Sequence, residues 1–202
     1  MWEGNAVAGR WTDFSRYGAQ GIPGWLAVCR GLDELVTGIA SPVTTTRGLN
    51  ARLNYLHRTK TGIDALRRAG VTVSEATIRR WFAKKQRPSA ANRKLVDAAY
   101  WALRRHNVAA DLKRRLNAGG AGTRIEIYPV DQSQVEGPRR RELQHRSINV
   151  RGIWNDLVDA WDKGPADLAA VRMLDVIWDE VITGLGSDYD AYSYVEHVGF
   201  AA

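Results

Sequence analysis

The chain has 202 residues, 45% of them apolar, so it can bury a core as one ordinary domain or two small ones. Its formal net charge of +7 favours a polyanionic partner. The single cysteine, Cys29, excludes an intrachain disulfide and lies in an apolar stretch that favours a buried thiol. With isolated histidines, no membrane-length apolar run and no signal-peptide pattern, we expect a cytoplasmic, nucleoid-associated protein without metal or cofactor.

The charge is unevenly distributed along the chain. Residues 79–115 contain twelve Lys or Arg and two Asp or Glu, whereas residues 152–202 contain two Lys or Arg and ten Asp or Glu. The excess in the middle of the chain is larger than a solvated helix surface needs. It therefore favours contact with nucleic acid.

The first half of the chain reads as an arm followed by short helices. Residues 1–23 are rich in Gly and aromatic residues, and we expect them to be irregular. Apolar residues at helical spacing, bounded by Pro, Thr and Gly signals, then predict four helices. These are residues 25–40, 47–58, 62–69 and 75–84.

The last two of these helices fit a helix-turn-helix pattern. Gly70 ends the first helix, and Ser74 can cap the second. The second helix turns Ile78, Trp81 and Phe82 toward the core. Its opposite side can enter the major groove of DNA. The same pattern also occurs in helical bundles that do not bind DNA.

Polar and basic residues on this helix and after it are the candidate contacts with double-stranded DNA. They are Ser74, Glu75, Thr77, Arg79, Arg80, Lys84, Lys85, Arg87 and Arg93. We expect Arg79 to read a base edge, because Arg binds guanine in a bidentate way. The cationic residues that follow the helix are better placed for phosphates.

Beyond the basic segment the pattern changes to mixed helix and strand. The predicted elements are helical pieces at 90–106 and 109–117, strand 124–130, a polar loop at 131–141, helices at 150–162 and 165–183, and a strand at 191–200. The final strand can pair with strand 124–130, which Pro129 either ends or confines to a sheet edge. A Gly-rich run at 119–122 marks a candidate domain boundary.

The sequence therefore predicts a mainly α fold with a small β component. We expect an irregular N-terminal arm (1–23), a helix-turn-helix domain (24–118) and an acidic α+β C-terminal domain (123–202).

A second basic cluster lies in and after the polar loop. Its members are Arg139, Arg140, Arg141, Arg146 and Arg151. It is either a solvated surface or a grip for single-stranded DNA or a second stretch of duplex. The carboxylate pairs of the two acidic helices, by contrast, indicate wet helix faces rather than a metal site.

The order of these elements resembles the terminal proteins that cap the telomeres of linear actinomycete chromosomes and plasmids. The resemblance covers roughly residues 49–200 and leaves out the Trp-rich N-terminal segment. It rests on the order of AKKQRPSAANRKL (83–95), a long basic helix, GTRIE (122–126), SQVEG (133–137) before the arginine cluster, and EHVGF (196–200).

The resemblance implies a protein that binds telomeric DNA and primes end replication through covalent attachment to the 5′ end. It also implies a DNA polymerase and a telomere-associated protein as partners. The polymerase would supply the phosphoryl-transfer machinery, so the chain would be a primer and not an enzyme. The family's priming threonine corresponds to Gln134 here. The adjacent Ser133 becomes the candidate priming hydroxyl, with Thr123 and Tyr128 in reserve.

Two other functions fit the same residues. One is a helix-turn-helix transcriptional regulator that binds its operator non-covalently as a homodimer, with Trp154, Trp161 and Trp178 packed across a two-fold axis. The other is a plasmid or phage replication or partition accessory protein that binds DNA without covalent linkage.

Overall fold

The computed structural model describes residue 15 and residues 17–186 and 189–201. Within these ranges the fold is mainly α-helical with a small antiparallel sheet, which confirms the predicted fold class. The helices are α1 (Gly24–Leu35), α2 (Thr46–Arg58), α3 (Gly62–Arg68), α4 (Glu75–Phe82), α5 (Ala90–Asn117), α6 (Trp154–Lys163) and α7 (Leu168–Thr183). The strands are β1 (Ile22–Pro23), β2 (Thr123–Pro129), β3 (Arg146–Val150) and β4 (Tyr194–Phe200).

The chain divides into two compact units at places other than the predicted boundaries. Residues 36–108 form one unit, here called the helical unit. The described residues up to Leu35 join those from Ala109 onward in the other, here called the sheet unit. The structure thus assigns α1 to the sheet unit, and the predicted helical pieces 90–106 and 109–117 are one helix, α5.

The helical unit is built on an apolar core that α2, α3, α4 and the first part of α5 share. The fully buried members of this core include Leu56, Leu66, Ile78, Val96 and Ala99. Apolar side chains at helical spacing on each helix supply them, as the sequence periodicity predicts. The core fixes which side of α4 faces inward.

A buried arginine ties the start of the helical unit to its helices. Arg52 on α2 is only 4% exposed and forms an ion pair with Asp97 on α5. Its Nη1 donates hydrogen bonds to the carbonyl oxygens of Ser41 (2.7 Å) and Gly48 (3.1 Å). A buried guanidinium needs such partners, because an unpaired buried charge is costly.

The sheet has the strand order β1-β4-β2-β3, and every neighbouring pair is antiparallel. The predicted pairing of the two long strands is confirmed, with Ile127 opposite Val198. β2 is a central strand, so Pro129 ends it rather than placing it at an edge. Residues of the predicted N-terminal arm also join the sheet: β1 pairs with β4, and Gln20 bridges to Asp131. The rest of the arm, residues 1–14 and 16, lies outside the described residues.

Strand β3 was not predicted from the sequence. It pairs along β2, with Ile148 opposite Ile125. Its first residue, Arg146, belongs to the second basic cluster that the sequence predicts. Arg146 in this strand is half-buried, and its Nε donates a hydrogen bond to the Tyr192 hydroxyl (3.0 Å). It is therefore engaged in the fold and not displayed for DNA.

Helices α1, α6 and α7 cover one face of the sheet with apolar side chains. The three tryptophans predicted for a dimer interface belong to this layer: Trp154, Trp161 and Trp178 are 1%, 0% and 3% exposed. That prediction is wrong, because buried side chains cannot pack across a two-fold axis. Gly24 shows how tight the layer is: a Cβ at this position would lie 2.0 Å from Trp178 Cε2.

Candidate nucleic-acid interface

The turn between α3 and α4 has the geometry that the sequence pattern predicts. Gly70 adopts a φ of +94°, and hydrogen bonds from Gly70 N to Arg67 O (2.9 Å) and from Val71 N to Leu66 O (3.0 Å) close α3. Arg67 then clamps the turn, because its Nη1 donates to the carbonyl oxygens of Val71 (2.8 Å) and Val73 (2.6 Å). Sequence reasoning missed this clamp, which holds α4 at a defined angle to α3.

The N-terminus of α4 is capped as predicted. The Ser74 Oγ accepts a hydrogen bond from Thr77 N (3.3 Å) and lies 3.0 Å from the Thr77 Oγ1. The Ser74 and Thr77 hydroxyls, both predicted to contact DNA, therefore contact each other. Glu75 forms an ion pair with Arg79 (2.6 Å) in which the side chains are 52% and 73% exposed.

The inward face of α4 confirms the predicted core contacts. Ile78 is 0% and Trp81 is 1% exposed, and Phe82 is half-buried with its ring centroid 5.0 Å from that of His57. With this face fixed in the core, Arg79 and Arg80 are both exposed on the outer side. The helix therefore displays two guanidinium groups on a rigid support.

The basic segment after α4 begins earlier than predicted, because the helix ends at Phe82. Lys84 has a φ of 59°, and the N–H groups of Lys84 and Lys85 bond to the carbonyl oxygens of Trp81 (3.0 Å) and Arg80 (2.9 Å). These bonds close the helix end while leaving both lysine side chains exposed.

Two further candidate residues are tied to the backbone of the helical unit. Arg87 Nη2 donates to the Thr44 carbonyl (2.9 Å), and Arg93 Nη1 donates to the Pro88 carbonyl (3.3 Å). A carbonyl does not neutralise a guanidinium. Both positive charges are thus held in place and remain available to a phosphate.

The helical unit concentrates the positive charge of the chain. Residues 36–108 contain fifteen Lys or Arg and three Asp or Glu, a net charge of +12. The other residues contain fourteen Lys or Arg and nineteen Asp or Glu, a net charge of −5. The two values sum to the +7 of the whole chain. The predicted basic region, which began at Arg79, omitted the exposed cations Arg47, Arg58, Lys60 and Arg68. They are spread along two helices and the turn between them, so only the compact unit shows that they belong together.

The candidate priming residue lies in the loop that connects β2 to β3. Ser133 is exposed; its N–H donates to Asp131 Oδ1 (2.8 Å) and its hydroxyl donates to Asp131 Oδ2 (2.9 Å). Thr123, the first reserve, is 5% exposed and donates to the Leu116 carbonyl (2.6 Å). Its hydroxyl is therefore out of reach of a substrate, whereas Tyr128 is 43% exposed.

The arginines of this loop differ in their contacts. The Arg139 guanidinium lies 4.4 Å from the centre of the Tyr17 ring. Arg140 donates to the carbonyl oxygens of Val135 (2.7 Å) and Ser133 (3.0 Å). The Arg141 N–H donates to Gln132 Oε1, and Gln132 Nε2 donates to the Arg141 carbonyl oxygen, both at 2.9 Å. These two bonds close the loop.

In the described ranges, no helix combines the length and apolar character of a membrane span. The same residues contain no group of three His, Cys, Asp or Glu side chains placed to hold a metal ion. Comparison of the chain with protein-family models, with curated proteins and with solved structures finds no match. The resemblance to terminal proteins therefore stays a prediction.

Proposed function

We propose that the helical unit binds double-stranded DNA, with α4 in the major groove. The observation that carries this proposal is the net charge of +12 within 73 residues that also hold the α3–turn–α4 arrangement. Neutralising phosphates releases condensed counterions, and this effect supplies much of the affinity of proteins for DNA. A helix in the major groove adds contacts to base edges.

The proposed roles follow from position on α4. Arg79 and Arg80 lie on its exposed side and contact base edges, whereas Lys84 and Lys85 lie past its end and contact phosphates. The ion pair between Glu75 and Arg79 is exposed, and such pairs contribute little to stability. DNA can therefore replace Glu75 as the partner of Arg79 at small cost.

The test is the double substitution Arg79→Ala/Arg80→Ala, measured by fluorescence anisotropy with duplexes that the wild type selects from a random-sequence pool. We expect binding to be lost while the circular dichroism spectrum stays unchanged. The matched control, Arg114→Ala/Arg172→Ala, removes the same charge from exposed positions of the sheet unit and should keep binding. Tight binding by the α4 variant would overturn the groove assignment.

The finer proposal is that the chain is a terminal protein that primes replication at the ends of a linear replicon. The resemblance supports it, and so does the environment of Ser133. The Asp131 carboxylate can accept the hydroxyl proton as the serine oxygen attacks the α-phosphorus of a nucleotide and pyrophosphate leaves. The same bonds also form an ordinary Asx turn, so the geometry alone does not require priming.

Priming is tested by incubating the chain with labelled dNTP and its polymerase and denaturing the product. We expect label to stay on the protein, to be lost with Ser133→Ala and to be reduced with Asp131→Asn. Label that persists on Ser133→Ala and disappears on Tyr128→Phe would move the site to the reserve hydroxyl. Wild-type protein that binds duplex but never acquires label would refute priming alone.

A non-covalent regulator is the second candidate, and an apolar strip on α7 favours it. Leu168, Met173 and Val176 are 70%, 46% and 67% exposed along this helix. In a dimer, α7 of one copy could pair antiparallel with α7 of the other, with the two-fold axis at Val176. This pairing would place Arg172 of one copy opposite Glu180 of the other, since each lies four residues from Val176. A Val176→Glu variant that stays monomeric when the wild type dimerises in light scattering would support it.

A further inference from the structure

The sheet has an outer face, opposite the covering helices, that carries an exposed aromatic group. Side chains alternate along β2, so Ile125 and Ile127 are buried while Arg124 and Tyr128 are exposed. The Tyr128 ring is 43% exposed, and its centroid lies 4.6 Å from that of His145 and 5.7 Å from that of His197. Neighbouring flat rings on an open sheet are the kind of surface on which unpaired bases stack.

A β-bulge brings one of these rings into position. Tyr128 pairs with His197, but the next residue, Pro129, pairs with Val195, so β4 contains an extra residue here. As a result Glu196 and His197 are both exposed, although they are adjacent in a strand. Strict alternation would have turned one of them into the core.

The second histidine is held by Glu126. The Glu126 carboxylate accepts hydrogen bonds from Arg124 Nε (2.8 Å) and Ser147 Oγ (2.9 Å), and its Oε2 lies 2.8 Å from His145 Nε2. The hydrogen bond from Ser147, followed by Arg124, lowers the pKa of Glu126, so this carboxylate stays ionised. These contacts occupy the oxygens of Glu126 and keep the His145 ring beside Tyr128.

Cationic groups that can contact phosphates lie on the outer face and in the loop that connects β2 to β3. Arg124 is 63% exposed on the outer face itself. The loop that follows Tyr128 and precedes His145 carries Arg139–Arg141. Among the described residues, the Arg140 guanidinium bonds to two carbonyl oxygens, which do not neutralise its charge. The loop also contains three acids, but Asp131 is engaged with Ser133 and Glu136 lies 4.0 Å from Arg139.

We propose that the outer face binds single-stranded DNA, with an unpaired base stacked on Tyr128 between His145 and His197. The choice of DNA over RNA rests on the proposed function, because a duplex-binding unit in the same chain would bring DNA to it.

The first test compares Tyr128→Leu with Tyr128→Phe in the full chain, using anisotropy of labelled oligo(dT). Tyr128→Phe keeps the ring and should bind like the wild type. Tyr128→Leu should bind roughly 5-fold to 150-fold more weakly, the range observed when a stacking aromatic is removed. Met173→Ala is the control, because Met173 is exposed to a similar extent (46%) on the same unit. Equal binding by Tyr128→Leu and the wild type would overturn the proposal.

The second test adds a side chain instead of removing one. A Cβ at Gly199, which pairs with Glu126, would lie 3.7 Å from Glu126 Cβ and 3.9 Å from Tyr128 Cε2, which is ordinary contact. Gly199→Val should therefore fold, cover the Tyr128 ring and reduce oligo(dT) binding with Tyr128 still present. Unchanged binding by a folded Gly199→Val would refute the stacking site.

Two further measurements separate this proposal from its neighbours. The Arg79→Ala/Arg80→Ala variant should lose duplex binding and keep oligo(dT) binding; loss of both would mean that the helical unit binds the single strand, against the proposal. Oligo(U) should bind no more tightly than oligo(dT), and tighter, Tyr128-dependent binding would overturn the assignment to DNA. A wild type that binds oligo(dT) but no duplex would refute the proposed function while supporting this site.

Discussion

Replacing Arg52 by Met should destabilise the helical unit by about 3 kcal/mol, although no role in DNA contact is assigned to Arg52. The substitution keeps the apolar stem but leaves the Asp97 carboxylate without its ion-pair partner and the Ser41 and Gly48 carbonyls without their donor. Breaking a buried pair costs about 3–5 kcal/mol. We expect the lower end, about 3 kcal/mol, because the Asp97 side chain is 33% exposed and water can solvate it.

This loss is a large part of the stability that the unit can have. A unit of 73 residues is stabilised by about 4–11 kcal/mol at typical values per residue. Urea denaturation followed by circular dichroism gives the free energy of unfolding, and amide hydrogen exchange locates the loss in residues 36–108. Arg58→Met is the control, because Arg58 is exposed on the same helix. A loss below about 1 kcal/mol for Arg52→Met would refute this account of its role.

Three other substitutions have defined outcomes. Lys84→Ala/Lys85→Ala should make the slope of log K against log salt concentration for duplex binding shallower by about 1.8, and an unchanged slope would rule out phosphate contacts by these lysines. Burial, and then repulsion from Asp179, raises the pKa of Asp175 above 3.8, so its ionised form destabilises the fold. Asp175→Asn should therefore raise the melting temperature at pH 7, and the gain should vanish as the pH falls below 3.8; a constant gain would contradict the shift. Trp81 Nε1 is buried without a hydrogen-bond partner among the described residues, so Trp81→Phe loses no hydrogen bond and should cost only the cavity that it leaves, about 1–2 kcal/mol; a loss above about 3 kcal/mol in urea would mean that a hydrogen bond is lost as well.

The helix-turn-helix geometry could be predicted because its signals are local. Gly70 ends α3, Ser74 caps α4, and the spacing of Ile78 and Trp81 sets the inward face; each acts within a few residues of its position in the chain. The end of α4 was placed two residues too late, because nothing in Lys84 or Lys85 forbids helix. Only the positive φ of Lys84 marks where the helix closes.

The domain boundaries and the outer face of the sheet depend on contacts between residues far apart in the chain. Local sequence patterns therefore do not predict them. α1 belongs with the sheet because Gly24 packs against Trp178, far along the chain. Strand β3 begins with Arg146 and Ser147, which have no strong strand preference, and it forms because β2 lies beside it. The cluster around Tyr128 needs the bulge in β4, which no short sequence pattern predicts.

The sheet unit is interrupted in sequence by the helical unit, and this order has a consequence for synthesis on the ribosome. Strand β1 is made before the helical unit and its partner β4 is made after it, with Ile22 opposite Val195. The helical unit is one continuous segment, residues 36–108, and can fold while the chain is still growing. The sheet lacks strand β4 until residues 194–200 are made, so a ribosome stalled before residue 194 would hold a folded helical unit while β1 and one edge of β2 stay unpaired and open to aggregation and proteolysis.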